Sequence, residues 1–165
     1  MKINNYIVYI GTLFLSFSFC EESIEYYENG QIKYEINEKE GKEIYYFENG
    51  QIRIDRTYKD GKKDWTEIWY YENGQIGYEE NYKDSKRDGK WTYYYENGQI
   101  RYKTNYKDFK EDGNWIYYYE DGQIWNEENY KDGKKDGKWT FYNTDGSIKK
   151  EEIYKDGELI ESKLY

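Results

Sequence analysis

Apolar and polar positions alternate along most of this 165-residue chain, and Asn-Gly or Asp-Gly pairs interrupt the alternation at fixed distances. The fullest copy of the pattern is Trp91-Thr92-Tyr93-Tyr94-Tyr95-Glu96-Asn97-Gly98-Gln99-Ile100. Its turn glycine recurs as Gly30, Gly50, Gly74, Gly98, Gly122 and Gly146, spaced by 20 residues once and by 24 thereafter. Strict alternation marks a half-buried strand, and a repeat of this length marks a stacked array of small units.

Asn-Gly is the preferred pair for a two-residue turn in which both central residues take positive φ. With that turn at 97–98, Glu96 faces Gln99, Tyr95 faces Ile100 and Tyr93 faces Tyr102. Trp91, Tyr93, Tyr95, Ile100, Tyr102, Thr104 and Tyr106 then share one face. Thr92, Tyr94, Glu96, Gln99, Arg101, Lys103 and Asn105 take the other, so one face is aromatic and the other mostly polar. One recurrent residue fits this badly. The tyrosine four before the turn glycine (Tyr26, Tyr46, Tyr70, Tyr94, Tyr118, Tyr142) falls on the polar face, while the isoleucine two after it (Ile32, Ile52, Ile76, Ile100, Ile124, Ile148) falls on the aromatic one. A three-residue turn with a glycine bulge would set the two side by side. The two-residue turn is the favoured register.

A second turn follows in each period, as Asp60-Gly61, Asp132-Gly133 and Asp156-Gly157, varied to Asp84-Ser85 and Asp108-Phe109. A two-residue turn at 132–133 pairs Tyr130 with Lys135 and Asn126 with Trp139. The predicted fold is all-β: an elongated, single-layer antiparallel meander of tandem β-hairpins with a period of about 24 residues. Residues 21–165 form one domain, with repeats near 24–43, 44–67, 68–91, 92–115, 116–139 and 140–165. The sheet is roughly 55–60 Å long at ~4.8 Å per strand. Residues 158–165 read as a closing strand. The first copy is four residues shorter and has Glu38 where later copies have tyrosine, which reads as an N-terminal cap.

Composition changes the picture in two respects. A charged fraction of 36% and a mean hydropathy of −1.32 would ordinarily indicate disorder. Here 24 tyrosines and six tryptophans carry much of the apolar area, and hydropathy scales score these residues as polar. The net charge is −9, and because residues 1–20 hold Lys2 and no acid, it is more negative still beyond them. Such a surface repels phosphate backbones, so nucleic acid is excluded as a partner of the repeat body, and membrane contact is confined to an N-terminal anchor.

That anchor is the second distinct region. Lys2 precedes an apolar run from Ile7 to Phe19, followed by Cys20-Glu21-Glu22. A short basic region and an apolar run of this length predict a secretory signal over 1–20. Cys20 resembles the lipidated cysteine of bacterial lipoproteins, although Phe19 and Phe17 stand where small and aliphatic residues are usual. Cleavage after Ser18 is the rival. The expected location is exported and membrane-anchored, periplasmic or at the cell surface, with a cytoplasmic alternative.

No enzyme chemistry is legible. The chain has no histidine and a single cysteine, which leaves no nucleophile–base pair, no usual zinc or haem site and no internal disulfide. No cofactor or metal is expected. Glu79-Glu80, Glu127-Glu128 and Glu151-Glu152 are adjacent strand residues that point to opposite faces and read as solvated charges. The feature with a binding alternative is the aromatic strip, here Trp91, Tyr93, Tyr95, Trp115, Tyr117, Tyr119, Trp139 and Phe141. Its plain reading is packing of a sheet with no second layer. Its other reading is a partner-binding surface.

Runs such as Tyr130-Lys131-Asp132-Gly133-Lys134-Lys135-Asp136-Gly137-Lys138-Trp139, followed by Tyr142-Asn143-Thr144-Asp145-Gly146, resemble MORN repeats, and more closely the bacterial variant found in YwqK-family antitoxins. The likeness covers residues 24–160. It departs from the usual Gly-x-Gly at Gly89-Lys90-Trp91, Gly113-Asn114-Trp115 and Gly137-Lys138-Trp139, and one copy has Trp65 in place of the first glycine. The resemblance implies a twisted sheet of hairpins used as a binding scaffold, with a protein partner and no shared active site. Gly89-Lys90-Trp91-Thr92-Tyr93-Tyr94 is also similar, more weakly, to choline- and glucan-binding cell-wall repeats, which lack this period. The expected function is therefore an exported scaffold for protein–protein interaction. The alternatives are an antitoxin-type inhibitor of a partner toxin and a choline- or glycan-binding module.

Overall fold

The computed structural model describes residues 22–59 and 63–165. The predicted signal with Cys20 and the Asp60-Gly61 turn lie outside the described residues. The strands are β1 (Glu22–Tyr26), β2 (Ile32–Asn37), β3 (Lys42–Tyr46), β4 (Ile52–Lys59), β5 (Asp64–Tyr70), β6 (Ile76–Lys83), β7 (Lys86–Arg87) and β8 (Gly89–Tyr94). They continue with β9 (Ile100–Lys107), β10 (Lys110–Glu111), β11 (Gly113–Tyr118), β12 (Ile124–Lys131), β13 (Lys134–Lys135), β14 (Gly137–Tyr142), β15 (Ile148–Lys155) and β16 (Glu158–Leu164). All belong to one open antiparallel sheet whose main path follows chain order. The two-residue strands β7, β10 and β13 pair only with β6, β9 and β12. The expected meander is what the chain forms.

The Asn-Gly turn differs from its expected form. The Gly98 N–H donates to the Tyr95 carbonyl (2.9 Å) and the Tyr95 N–H to the Gln99 carbonyl (2.8 Å). Gly98 has φ +82°, whereas Asn97 is not in the left-handed region. The loop therefore has three residues, and Tyr94 pairs with Ile100 after a register shift at Tyr93/Tyr94. The pairs Glu96–Gln99 and Tyr95–Ile100 are overturned, while Tyr93–Tyr102 stands. The cause is local: the Asn97 side-chain oxygen accepts the Gln99 N–H at 2.9 Å, a contact that lets glycine alone take the left-handed conformation. Ile100 thereby leaves the aromatic face and joins Tyr94.

The Asp-Gly turn is the expected two-residue type, with Asp132 at φ +51° and Gly133 at +81°, and Tyr130 opposite Lys135. Beyond it the pairing breaks. The Asp136 N–H donates to the Asn129 carbonyl (3.0 Å), and Gly137 takes φ +98°. When the ladder resumes, Asn126 lies opposite Phe141, not Trp139. A shift of two residues preserves the alternation, so Trp139 keeps its face despite the wrong partner. Gly89 and Gly113 make the same break. Where Trp65 replaces that glycine there is none, and β5 runs in one register against β4.

Both rims are stitched from repeat to repeat. On one, the Tyr27, Tyr71 and Tyr95 hydroxyls donate to the carbonyls of Tyr46, Tyr94 and Tyr118. On the other, the N–H groups of Phe109, Gly133 and Gly157 donate to the carbonyls of Arg87, Glu111 and Lys135. Each repeat thus holds its neighbour through backbone acceptors that a single sheet would otherwise leave to water. The outermost strands β1 and β16 are exposed along their whole length.

The bulge position three residues after the turn glycine differs informatively between copies: Arg53, Gly77, Arg101, Trp125 and Lys149. A Cβ at Gly77 would run into the ring of Trp69. Trp69 occupies the place of Tyr45, Tyr93 and Tyr117, and the larger indole lies over the glycine. Gly77→Arg makes this repeat look like its neighbours, yet is expected to destabilise the sheet by about 2 kcal/mol through overpacking. Adding Trp69→Tyr should recover most of that loss in urea melts. Equal melts for wild type and the single variant would refute the packing account.

Candidate interaction surface

The aromatic face is organised by the breaks at Gly89, Gly113 and Gly137. Each break takes the carbonyl of Asn81, Asn105 or Asn129 out of the regular ladder. The indole N–H of Trp91, Trp115 or Trp139 then donates to that carbonyl, at 2.8, 3.1 and 3.0 Å. The Asn81 and Asn129 side chains bridge the same gap by donating to the Lys90 and Lys138 carbonyls. Glycine, asparagine and tryptophan therefore act as one unit. In the copy with Trp65 and no break, Glu67 stands where the later copies have tryptophan.

The rings form a continuous row. Tyr58, Trp65, Tyr82, Trp91, Tyr106, Trp115, Tyr130, Trp139 and Tyr154 follow one another across the strands, with every centroid separation between 4.3 and 6.1 Å. A second row runs Trp69, Tyr78, Tyr93, Tyr102, Tyr117 and stops at Asn126. Of the eight candidate residues, Trp91, Tyr93, Trp115, Tyr117, Trp139 and Phe141 share this face. Tyr95 and Tyr119 lie past the strand ends, at the first position of the turn. Trp91 and Trp139 are 2% and 4% exposed, so they pack the sheet rather than present it. Trp115 and Tyr117 are half-buried.

Glu80 and Glu128 point away from Glu79 and Glu127 as expected, but they are buried on the aromatic face rather than solvated. The hydroxyls of Tyr82 and Tyr93 donate to Glu80 (2.8 and 2.5 Å), and those of Tyr130 and Tyr154 to Glu128 and Glu152 (2.9 and 3.0 Å). Burial first, then the hydrogen bond to Glu80, raises the Tyr93 phenol far above its usual pKa, and Tyr130 is raised likewise by burial and Glu128. On the opposite face the recurrent tyrosine has its own acid. Tyr46 donates to Glu35 (2.6 Å) and Tyr142 to Glu127 (2.9 Å). Burial and the Glu35 contact push Tyr46 up to about 12. The awkward tyrosine is thus explained twice, by the bulge that sets isoleucine beside it and by a cross-strand carboxylate.

In the early repeats, where Glu43 and Glu67 stand at the position of the later Trp91, Trp115 and Trp139, Arg56 does the packing. Its Nε reaches Glu67 at 2.7 Å and its Nη1 reaches Glu43 at 2.9 Å. Burial opposes its charge, but hydrogen bonds to Glu67 and Tyr58 outweigh that and raise its pKa. Arg56→Ala would leave the buried Glu43 and the half-buried Glu67 without their shared cation and is expected to cost about 3 kcal/mol. Adding Glu43→Gln and Glu67→Gln should restore much of it. Chemical denaturation of the single and triple variants checks this, and a single variant as stable as wild type would refute it. The Arg56 network was legible only as a charge at an aromatic-face position; nothing in the sequence paired it with acids 13 residues before and 11 after.

Among the described residues no group of three or more acids or cysteines is arranged to hold a metal ion, and no helix is long and apolar enough to cross a membrane. A one-layer sheet of stacked hairpins with ring rows on one face defines a repeat scaffold. The sequence matches the MORN repeat variant in six stretches, residues 22–37, 39–60, 64–84, 87–108, 111–132 and 135–156. The chain belongs to the MORN repeat variant family, whose members are generally associated with protein- or membrane-binding scaffolds and are typically non-enzymatic. No curated protein matches it.

Proposed function

We propose that this chain is an exported bacterial scaffold, tethered to a membrane through Cys20, that holds a protein partner against its repeat sheet. One observation carries the reading. Among the described residues the sheet is a single layer, and none of them forms a second layer over its half-buried rings, Trp115 and Tyr117 among them. The Lys2 and Ile7–Phe19 pattern supports export, and the net charge of −9 supports a partner with a basic surface. Mass spectrometry of the intact mature protein tests the export and tether. A diacyl mass on a chain beginning at Cys20 is the expected result. A chain beginning at Met1 would sink export, and cleavage after Ser18 would remove the tether.

A second reading is an antitoxin-type inhibitor. The resemblance of the Tyr-Lys-Asp-Gly-Lys runs to the variant found in YwqK-family antitoxins favours it, as does the acidic surface. Co-expression with a toxin encoded beside it should then restore growth, and unrelieved arrest would refute this reading.

A further inference from the structure

Three successive repeats build the same cleft from one tryptophan and one tyrosine. Trp91 meets Tyr106, Trp115 meets Tyr130 and Trp139 meets Tyr154, with ring centroids 5.1, 5.1 and 5.2 Å apart. One residue of the two-residue strand before each tryptophan occupies the position beside the cleft. These residues are Arg87, Glu111 and Lys135, paired in turn with Tyr82, Tyr106 and Tyr130.

Two of the clefts are filled by the chain's own cation. The Arg87 guanidinium lies 4.6 Å from the Trp91 ring centre and 5.4 Å from that of Tyr106. The Lys135 ammonium lies 4.0 Å from Trp139 and 4.7 Å from Tyr154. These are the separations at which a ring quadrupole attracts a positive charge. The same two tryptophans are the covered ones, at 2% and 4% exposure.

The middle cleft has the same rings and the opposite charge. Among the described residues no cation lies over Trp115 or Tyr130, and Trp115 is half-buried where its counterparts are enclosed. Among the described residues Glu111 has no ion-pair partner within 4.0 Å. Glu128, directly across from Trp115, accepts only neutral donors, the Asn126 amide at 2.6 Å and the Tyr130 hydroxyl at 2.9 Å. Glu111 thus holds the register position that Arg87 and Lys135 take in the neighbouring repeats, and Glu128 lies across from Trp115, so two carboxylates flank rings that the neighbouring repeats cover with arginine or lysine. Plain packing explains the rings but not the exchange of charge together with the loss of cover.

We infer that the Trp115–Tyr130–Glu111 cleft is a receptor site for an organic cation, supplied by a lysine or arginine side chain of a partner. The sister clefts show the pose: the charge lies over the indole and within reach of the tyrosine ring. Selectivity against anions follows from Glu111 and Glu128, and selectivity for this repeat follows from the intramolecular cations that occupy the other two. Only the source of the cation rests on the scaffold reading; the site itself does not.

The test is a titration of the isolated chain, followed by the indole N–H resonances in NMR, with the peptide acetyl-Gly-Lys-Gly-amide as probe. The Trp115 resonance should move and saturate, while those of Trp91 and Trp139 stay in place. Glu111→Gln should weaken the response about three- to five-fold. Glu111→Lys, which copies the sister repeats, should abolish it and leave the fold intact. A response shared equally by all three indoles, no response at Trp115, or a response that survives in Glu111→Lys would overturn the site. Tetramethylammonium forms the second arm. A Trp115 shift that saturates at lower concentration than with the lysine peptide would overturn the protein source in favour of a free quaternary ammonium ligand. Because no partner is present, failure of this titration leaves the export and tether measurements untouched.

Discussion

Raising the pH above 10 is expected to unfold the sheet cooperatively. Tyrosines on both faces, among them Tyr46, Tyr82, Tyr93, Tyr102, Tyr117 and Tyr130, have phenols raised above their ordinary value of 10. The leading cause in each is burial, and for Tyr46, Tyr82, Tyr93 and Tyr130 a hydrogen bond to a carboxylate adds to it. A raised folded pKa means that the unfolded chain ionises first. The contribution to stability is therefore fully present below pH 10 and is lost as pH rises through the raised values, about 12 for Tyr46. One pKa unit corresponds to about 1.4 kcal/mol. Even discounted several-fold because these rings are partly exposed, the summed effect is on the order of a whole domain's stability of about 5–15 kcal/mol. Tyrosinate absorbance and the far-ultraviolet circular dichroism of the sheet should change together in one steep step. A broad titration centred near 10 with the sheet retained would refute this. At the acid end the sign reverses. The Glu152 carboxyl is held low by its hydrogen bond from Lys150, so its contribution is present at neutral pH and fades as pH falls below the ordinary carboxylate range.

The second large effect is expected at the tryptophans, and it should be unequal. Trp91→Ala and Trp139→Ala each remove an enclosed indole, the rings it touches on both sides and the donor to an asparagine carbonyl. A loss of about 3–5 kcal/mol is expected for each. Trp115→Ala removes the same residue type from the same motif but a less enclosed ring, and about half that loss is expected. Trp91 has a further consequence because it lies mid-array. Stability in such a sheet is a sum of neighbour contacts, so its loss should uncouple the repeats on either side and broaden the unfolding transition. Trp91→Phe separates the parts, since it keeps a ring and loses the N–H; about 0.5–1.5 kcal/mol of its cost belongs to the lost hydrogen bond to the Asn81 carbonyl, which keeps the Asp88 N–H as its donor. Equal destabilisation by all three alanine variants would show that burial does not rank these sites.

The sequence-based reading failed where its rules competed. Asn97-Gly98 satisfies the preference for a two-residue turn, but the asparagine side chain also bonds the Gln99 N–H, and that local contact prevails. The recurrent tyrosine at 94 was the available clue, because a polar-face residue repeated six times needs a partner, and Ile100 and the cross-strand acid are its partners. The Asn126–Phe141 pairing follows from the break at Gly137, and the one sequence clue to it is Trp65, which stands in the place of that glycine in the copy that lacks the tryptophan two residues later. The buried acids were missed because hydropathy marks a carboxylate as solvated whatever its strand parity, and Glu80 shares the parity of Tyr78 and Tyr82.

Much of this protein was determined by sequence alone, because period and alternation are local properties: a 24-residue repeat of hairpins, the aromatic identity of one face, and the sharing of that face by Trp91, Tyr93, Trp115, Tyr117, Trp139 and Phe141. Tertiary structure decided what depends on neighbours two strands away. It set the bulges that move Ile100 and offset Trp139, the tyrosines that enclose Glu80 and Glu128, and the choice of which clefts the chain fills with its own charge. Arg87, Glu111 and Lys135 are merely three charged residues in the sequence. Beside their rings they become two occupied clefts and one open one, because a cation–π contact depends on a distance of a few ångströms that only the folded sheet sets.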